Sequence, residues 1–125
     1  MAEGLVLHEN RNLVRRELIY YLKVTDRDNG LELGRIGDIH IEGMLILAPE
    51  PLPEQVVYKL SLELPKAMAA EEGYSEVPVR ARVVWNKRGP KLSNYYVNGV
   101  RFLGLSIKAQ KAINRLTEIF AMPGS

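Results

Sequence analysis

The sequence predicts an all-β fold with a C-terminal helix: six short antiparallel strands closing into a barrel, packed by one amphipathic helix. Three observations carry this. Apolar residues recur at every second position in Glu17 to Thr25, Val56 to Leu64 and Val77 to Trp85, the period of a half-buried strand, and three further short stretches read as strands beside them. Clusters of Gly, Pro, Asn and Asp punctuate those stretches as turns do. Near the C-terminus the period changes to that of a helix, with Ala109, Ala112, Ile113, Leu116, Ile119 and Phe120 on one face.

Taken in order, residues 1–10 are mixed and aperiodic and read as a mobile lead-in. Residues 11–122 form one domain and residues 123–125 a tail. From Glu17 to Thr25, Leu18, Tyr20, Leu22 and Val24 alternate with polar or outward positions, giving the first strand. Asp28, Asn29 and Gly30 tolerate the positive φ angles of a tight reversal. The second strand runs from Leu31 to Ile41, and Gly34 and Gly37 inside it mark curvature or a bulge. Gly43 interrupts it, and Met44 to Ala48 is a short apolar third strand. Pro49, Pro51 and Pro53 then mark a surface turn, since proline cannot donate to a ladder. Val56, Tyr58, Leu60, Leu62 and Leu64 share one face of the fourth strand, which Pro65 ends. Lys66 to Glu76 reads as a polar loop with room for a helical turn. The fifth strand, Val77 to Trp85, sets Val79, Ala81, Val83 and Trp85 inward and Arg80 and Arg82 outward. Asn86 to Asn94 reads as a loop around Gly89 and Pro90, and Tyr95 to Leu103 is the sixth strand. Ser106 suits the N-cap of the final helix, and Pro123 and Gly124 stop it.

Composition narrows the function classes. A chain of 125 residues with 46% hydrophobic residues can build a core without staples. It has no cysteine, which removes disulfides and thiolate metal sites, and two histidines, His8 and His40, do not make a conventional zinc site. Net charge is +2 and pI about 8.9, too mildly basic to point to nucleic acid. No apolar run approaches the ~20 residues of a membrane helix, and a cytoplasmic location without membrane insertion is expected. Catalysis is not expected: there is no nucleophile elbow, no cysteine nucleophile and no phosphate-cradling glycine loop.

Two stretches stand out. From Ile36 to Gly43 the strand carries Asp38 and His40, which alternation places on one face together with Ile36. A carboxylate beside an imidazole can hydrogen-bond a polar planar ring. Gly43 follows, where the chain bends or something approaches closely. Upstream, Arg11 and Arg15 stand four apart with Arg16 beside them, and guanidinium forks suit phosphates.

This pairing resembles the PilZ family, receptors for the bacterial second messenger cyclic di-GMP. That family carries Arg-x-x-x-Arg ahead of the first strand and Asp/Asn-x-Ser-x-x-Gly on the barrel. The first motif is intact as Arg11 and Arg15. The second is Asp38, His40 and Gly43, with histidine where the family has serine. Weaker similarity extends to Val83, Val84 and Trp85 and to Gly99 through Phe102, so the resemblance spans roughly Arg11 to Phe120.

The resemblance implies a receptor that binds cyclic di-GMP, needs no cofactor or metal, and passes the signal to a protein partner. Its ligand set here is Arg11, Arg15, Arg16, Asp38, His40 and Gly43. Arginine forks would meet guanine and phosphate, the Asp38 carboxylate would accept from a guanine edge, and the arginine-rich segment would order over the ligand. Motility, adhesion or exopolysaccharide output are the processes it permits. Trp85 is expected in the core. Two alternatives stay open. In one, His40 fills the space of a base and the domain is an interaction adaptor that does not bind the messenger. In the other, Arg80, Arg82, Tyr95 and Tyr96 form a face for single-stranded nucleic acid, which the low net charge ranks last.

Overall fold

The computed structural model describes residues 22–120. Along them run β1 (Lys23–Asp26), β2 (Glu32–His40), β3 (Gly43–Ala48), β4 (Val57–Glu63), α1 (Lys66–Glu72), β5 (Glu76–Arg88), β6 (Tyr96–Phe102) and α2 (Ile107–Ile119). All six strands pair antiparallel and close into a barrel in the order β1-β2-β3-β6-β5-β4. Closure satisfies both sides of every ladder. This is the fold class expected from the alternating pattern.

Local chemistry explains the joints. The β1–β2 turn forms at Asp28, Asn29 and Gly30 as the sequence suggests. Gly30 takes φ +76°, and the Asp26 carboxylate accepts the Asp28 amide at 2.8 Å. Before α2, the Ser106 hydroxyl accepts the Ala109 amide at 3.0 Å, satisfying a donor that the first helical turn leaves open. Ala109, Ala112, Ile113 and Leu116 of α2 are buried with Val24, Ile36, Ile46, Leu60 and Leu62 of the barrel. Each large aliphatic side chain removed from water in this way contributes about 1.5–3 kcal/mol.

Four expectations need correction. Residues 66–72 are helical rather than a loop. Ala67, Ala69 and Ala70 favour helix, Met68 anchors it in the core, and Gly73 ends it at φ +87°. Arg115 of α2 ties it down through Glu71 and, at 2.8 Å, Glu72. The fifth strand runs on through Arg88, because Asn86, Lys87 and Arg88 pair with Asn98, Val97 and Tyr96. Trp85 is not in the core.

That last correction follows from a bulge. Val77, Val79, Ala81 and Val83 face inward, but the register slips between Val83 and Trp85, so one extra residue turns the indole outward. A matching slip sits in β2 between Ile36 and Asp38, at Gly37. Ile36 and Ile39 are therefore both buried, and Asp38 and His40 are both outward. Ile36 does not share a face with them, contrary to strict alternation.

Candidate functional site

The two bulges face each other across the outer wall. Asp38 of β2 pairs with Leu45 of β3, Leu45 with Gly99 of β6, and Gly99 with Trp85 of β5. The next outward row runs His40, Gly43, Arg101 and Arg82. The first row sets a carboxylate and an indole at opposite ends of one shallow groove. The second row supplies its imidazole and guanidinium rim.

The groove encloses about 390 Å³ and is lined by Asp38, His40, Glu42, Leu45, Trp85 and Arg101, among others. That is within the range of small-molecule sites, about 300–1,000 Å³. Its floor is low where glycines stand. A Cβ at Gly99 would meet the Trp85 indole at 2.4 Å, and one at Gly43 would stand 2.1 Å from the Val100 carbonyl oxygen. Gly43 is thus required by the close approach of β6, not by a left-handed bend.

The polar groups are positioned from their own chain. One Asp38 oxygen accepts the Ile39 amide at 2.9 Å, and the carboxylate makes no ion pair among the described residues. His40 Nδ1 accepts the Glu42 amide at 3.3 Å, which leaves the neutral ring its proton on Nε2. Arg101 likewise has no carboxylate partner among the described residues and reaches both this groove and the space beside Gly104 and Gln110. An acceptor, a donor, a cation and an aromatic face on one wall can read the edge and face of a planar heterocycle that carries negative charge.

Of the six residues singled out from the sequence, Asp38, His40 and Gly43 come together here. Arg11, Arg15 and Arg16 lie outside the described residues, as do the lead-in 1–10 and the tail 123–125. Trp85, Gly99 and Arg101 were not assigned to the site beforehand. Apolar neighbours at Val83 and Val84, and a spacing of three from Ile36 to Ile39, were the available marks of a phase slip. Among the described residues no cluster of His, Cys, Asp or Glu is able to hold a metal ion, and no helix is long and apolar enough to cross a membrane.

Comparison with known proteins agrees with the fold. Two solved structures share the fold. One is the Bacillus subtilis inhibitor of motility MotI/DgrA, at TM-score 0.59 and 16% identity, covering 75% of this chain. This chain spans 43% of that protein's length. The other is the PilZ domain of YcgR from Escherichia coli with cyclic di-GMP, at TM-score 0.55 and 16% identity, covering 82% of this chain and 80% of that one. No curated protein matches the sequence. The family model for the PilZ domain matches residues 9–118, and on that match the chain belongs to the PilZ domain family.

Proposed function

We propose that the groove between Asp38 and Trp85 binds cyclic di-GMP and that the domain is a receptor for that messenger. One observation carries the reading: an acceptor-rich carboxylate, an imidazole, a guanidinium and an indole converge on a single cleft of ligand size. The Asp38 carboxylate suits the N1–H and N2–H₂ edge of guanine, which presents two donors side by side. The Trp85 indole offers a stacking face, worth about 1–3 kcal/mol per base in comparable sites. Arg11 and Arg15, with Arg16 beside them, supply the forks for the phosphates, and the segment that bears them orders over the ligand. That ordering alters the surface offered to a protein partner. YcgR, whose PilZ domain was solved with cyclic di-GMP, and the motility inhibitor MotI support this assignment and an output on motility. A cytoplasmic receptor without catalytic activity, acting on motility, adhesion or exopolysaccharide output, follows from it.

Calorimetric titration with cyclic di-GMP tests the reading. Saturable heat that disappears in Arg15→Ala and is not displaced by GMP or GTP is expected. Absence of heat from a folded sample at tens of micromolar protein rejects it. A second reading is favoured by one feature, the bulk of His40 at the groove where the family carries serine. In that reading the domain is an adaptor indifferent to the nucleotide, and His40→Ser creates binding that the native chain lacks.

A further inference from the structure

A second surface lies beside the groove and has a different chemistry. On the outer wall of β4 and β5, Lys59 is directly opposite Arg80, and Val57 is opposite Arg82. Arg82 is in turn opposite Arg101 of β6. All four cations are exposed. Arg27, also exposed, donates its amide to the Lys59 carbonyl and adds a fifth at the edge of the same wall.

Like charges facing each other across a ladder destabilise it, and carboxylates could have been interleaved. None is. The ion pairs among the described residues lie elsewhere, at Arg35 and at Arg115. The acids on this wall are two rows away and engaged. Glu63 accepts the Lys23 amide at 2.9 Å, and Glu76 accepts the Ser61 hydroxyl at 2.6 Å. Among the described residues, the Lys59–Arg80 and Val57–Arg82–Arg101 rows therefore carry charge of one sign, and none of these cations is in an ion pair.

We infer that this β4–β5–β6 wall docks an acidic face of a partner protein. Three features select protein over other polyanions. The rings that could stack bases, Trp85, Tyr95 and Tyr96, lie at other positions, and the cationic rows contain none. The row through Arg82 and Arg101 ends on the exposed Val57, with Val56 beside it, so exposed apolar area adjoins the arginines, the mixture of apolar and Arg surface that protein interfaces favour. Arg80 and Arg82 are spaced by two strand residues, about 6.6 Å, which suits carboxylates one turn apart on a helix at about 6 Å. Because the barrel is closed, recognition here runs through side chains and not through strand addition. Lys59 and Arg80 lie outside the groove, whereas Arg82 and Arg101 also belong to its rim.

The test titrates the full chain with a synthetic poly-glutamate peptide at low salt, read by backbone-amide NMR. Oligothymidylate and phosphatidylserine vesicles are run in parallel. Shifts confined to Lys59, Arg80, Arg82, Arg101 and their neighbours are expected. Arg80→Glu with Arg82→Glu should weaken the peptide by at least about tenfold, and the milder Arg80→Gln with Arg82→Gln by less. The matched control Lys66→Glu with Lys91→Glu changes net charge equally at exposed sites away from this wall, and should stay within about twofold. The inference is overturned by no peptide binding, by equal losses in the two reversed pairs, or by tighter binding of oligothymidylate or vesicles than of peptide. If the reversed pair does not fold, as judged by its NMR spectrum, the glutamine pair decides, since it leaves no acid on the wall.

Discussion

The indole of Trp85 lies on the bare α-carbon of Gly99, so close that a methyl group there would stand 2.4 Å from both Cε2 and Nε1. Two strands are joined at this point by an absence. The bulge in β5 swings the indole outward, and the missing side chain in β6 lets it lie against the wall. Gly99→Ala should push the indole off its seat. Trp85 is the only tryptophan in the chain, so its emission maximum and quenching by iodide read the displacement directly. The indole is 39% exposed and has room to move, so the stability cost should stay near about 1 kcal/mol, at the low end of overpacking. Cyclic di-GMP affinity should fall by more than stability does.

Asp38 and His40 separate binding from folding. Asp38 is exposed and, among the described residues, its side chain accepts a hydrogen bond only from the adjacent Ile39 amide, so Asp38→Asn should leave the melting temperature nearly unchanged. It replaces one acceptor by a donor that meets the guanine N–H groups head-on. A loss of about tenfold to a hundredfold in cyclic di-GMP affinity is expected, the scale of one bidentate base contact. His40→Ser should retain affinity within about tenfold under the receptor reading, because a hydroxyl can also donate to the ligand. His40→Ala should bind more weakly than either. Calorimetry on the three variants, beside their thermal melts, makes the separation.

Gly43 makes the opposite prediction. An added Cβ would stand 2.1 Å from the Val100 carbonyl oxygen, and that contact is backbone, which cannot swing aside. Gly43→Ala must part β3 from β6 at the groove. A loss of about 1–3 kcal/mol is expected, seen as a lower urea midpoint. The binding defect should appear even where the domain remains folded, since His40 and Arg101 flank the displaced pair.

How much of this was legible beforehand depends on period. Where alternation runs unbroken, as from Val57 to Glu63, strand and face were both readable, because side chains must take opposite sides of a pleat. The Asp28–Gly30 turn and the Ser106 cap were readable because their chemistry is local. The bulges were not. A single inserted residue leaves composition intact and inverts every face beyond it, so Trp85 looked like core and Ile36 looked like a companion of Asp38. α1 was legible only as a loop with room for a helical turn, for another reason: with Met68 as its one buried residue, it carries no stripe for a periodicity argument to find. Arg101 was not assigned to the site because its role depends on which strand becomes the neighbour of β3, a non-local fact.

The burial of Asn98 leads to the last prediction. Alternation alone would put an apolar residue at this inward position between Ile46 and Asn86, yet the amide is fully buried. Its oxygen accepts the Leu52 amide at 2.8 Å and its nitrogen donates to the Ile46 carbonyl at 3.2 Å. Asn86 donates to the Leu52 carbonyl at 2.8 Å, so two asparagines hold both polar groups of one residue. That fastens the Pro49–Pro53 turn and keeps Leu52 in the core. Asn98→Ala deletes two hydrogen bonds and strands the Leu52 N–H without water, a combined cost of about 2–4 kcal/mol. Asn98→Asp should be at least as damaging, because it keeps the acceptor but buries a charge and loses the donor to Ile46. Asn86→Ala, at a half-buried site, should cost about 1 kcal/mol. Since both asparagines act through Leu52, once either is lost the turn loosens and the other has less left to hold. The double variant should therefore lose less than the sum of the single losses. Urea unfolding of the four proteins measures the coupling, and simple additivity would mean that Leu52 is not the shared anchor.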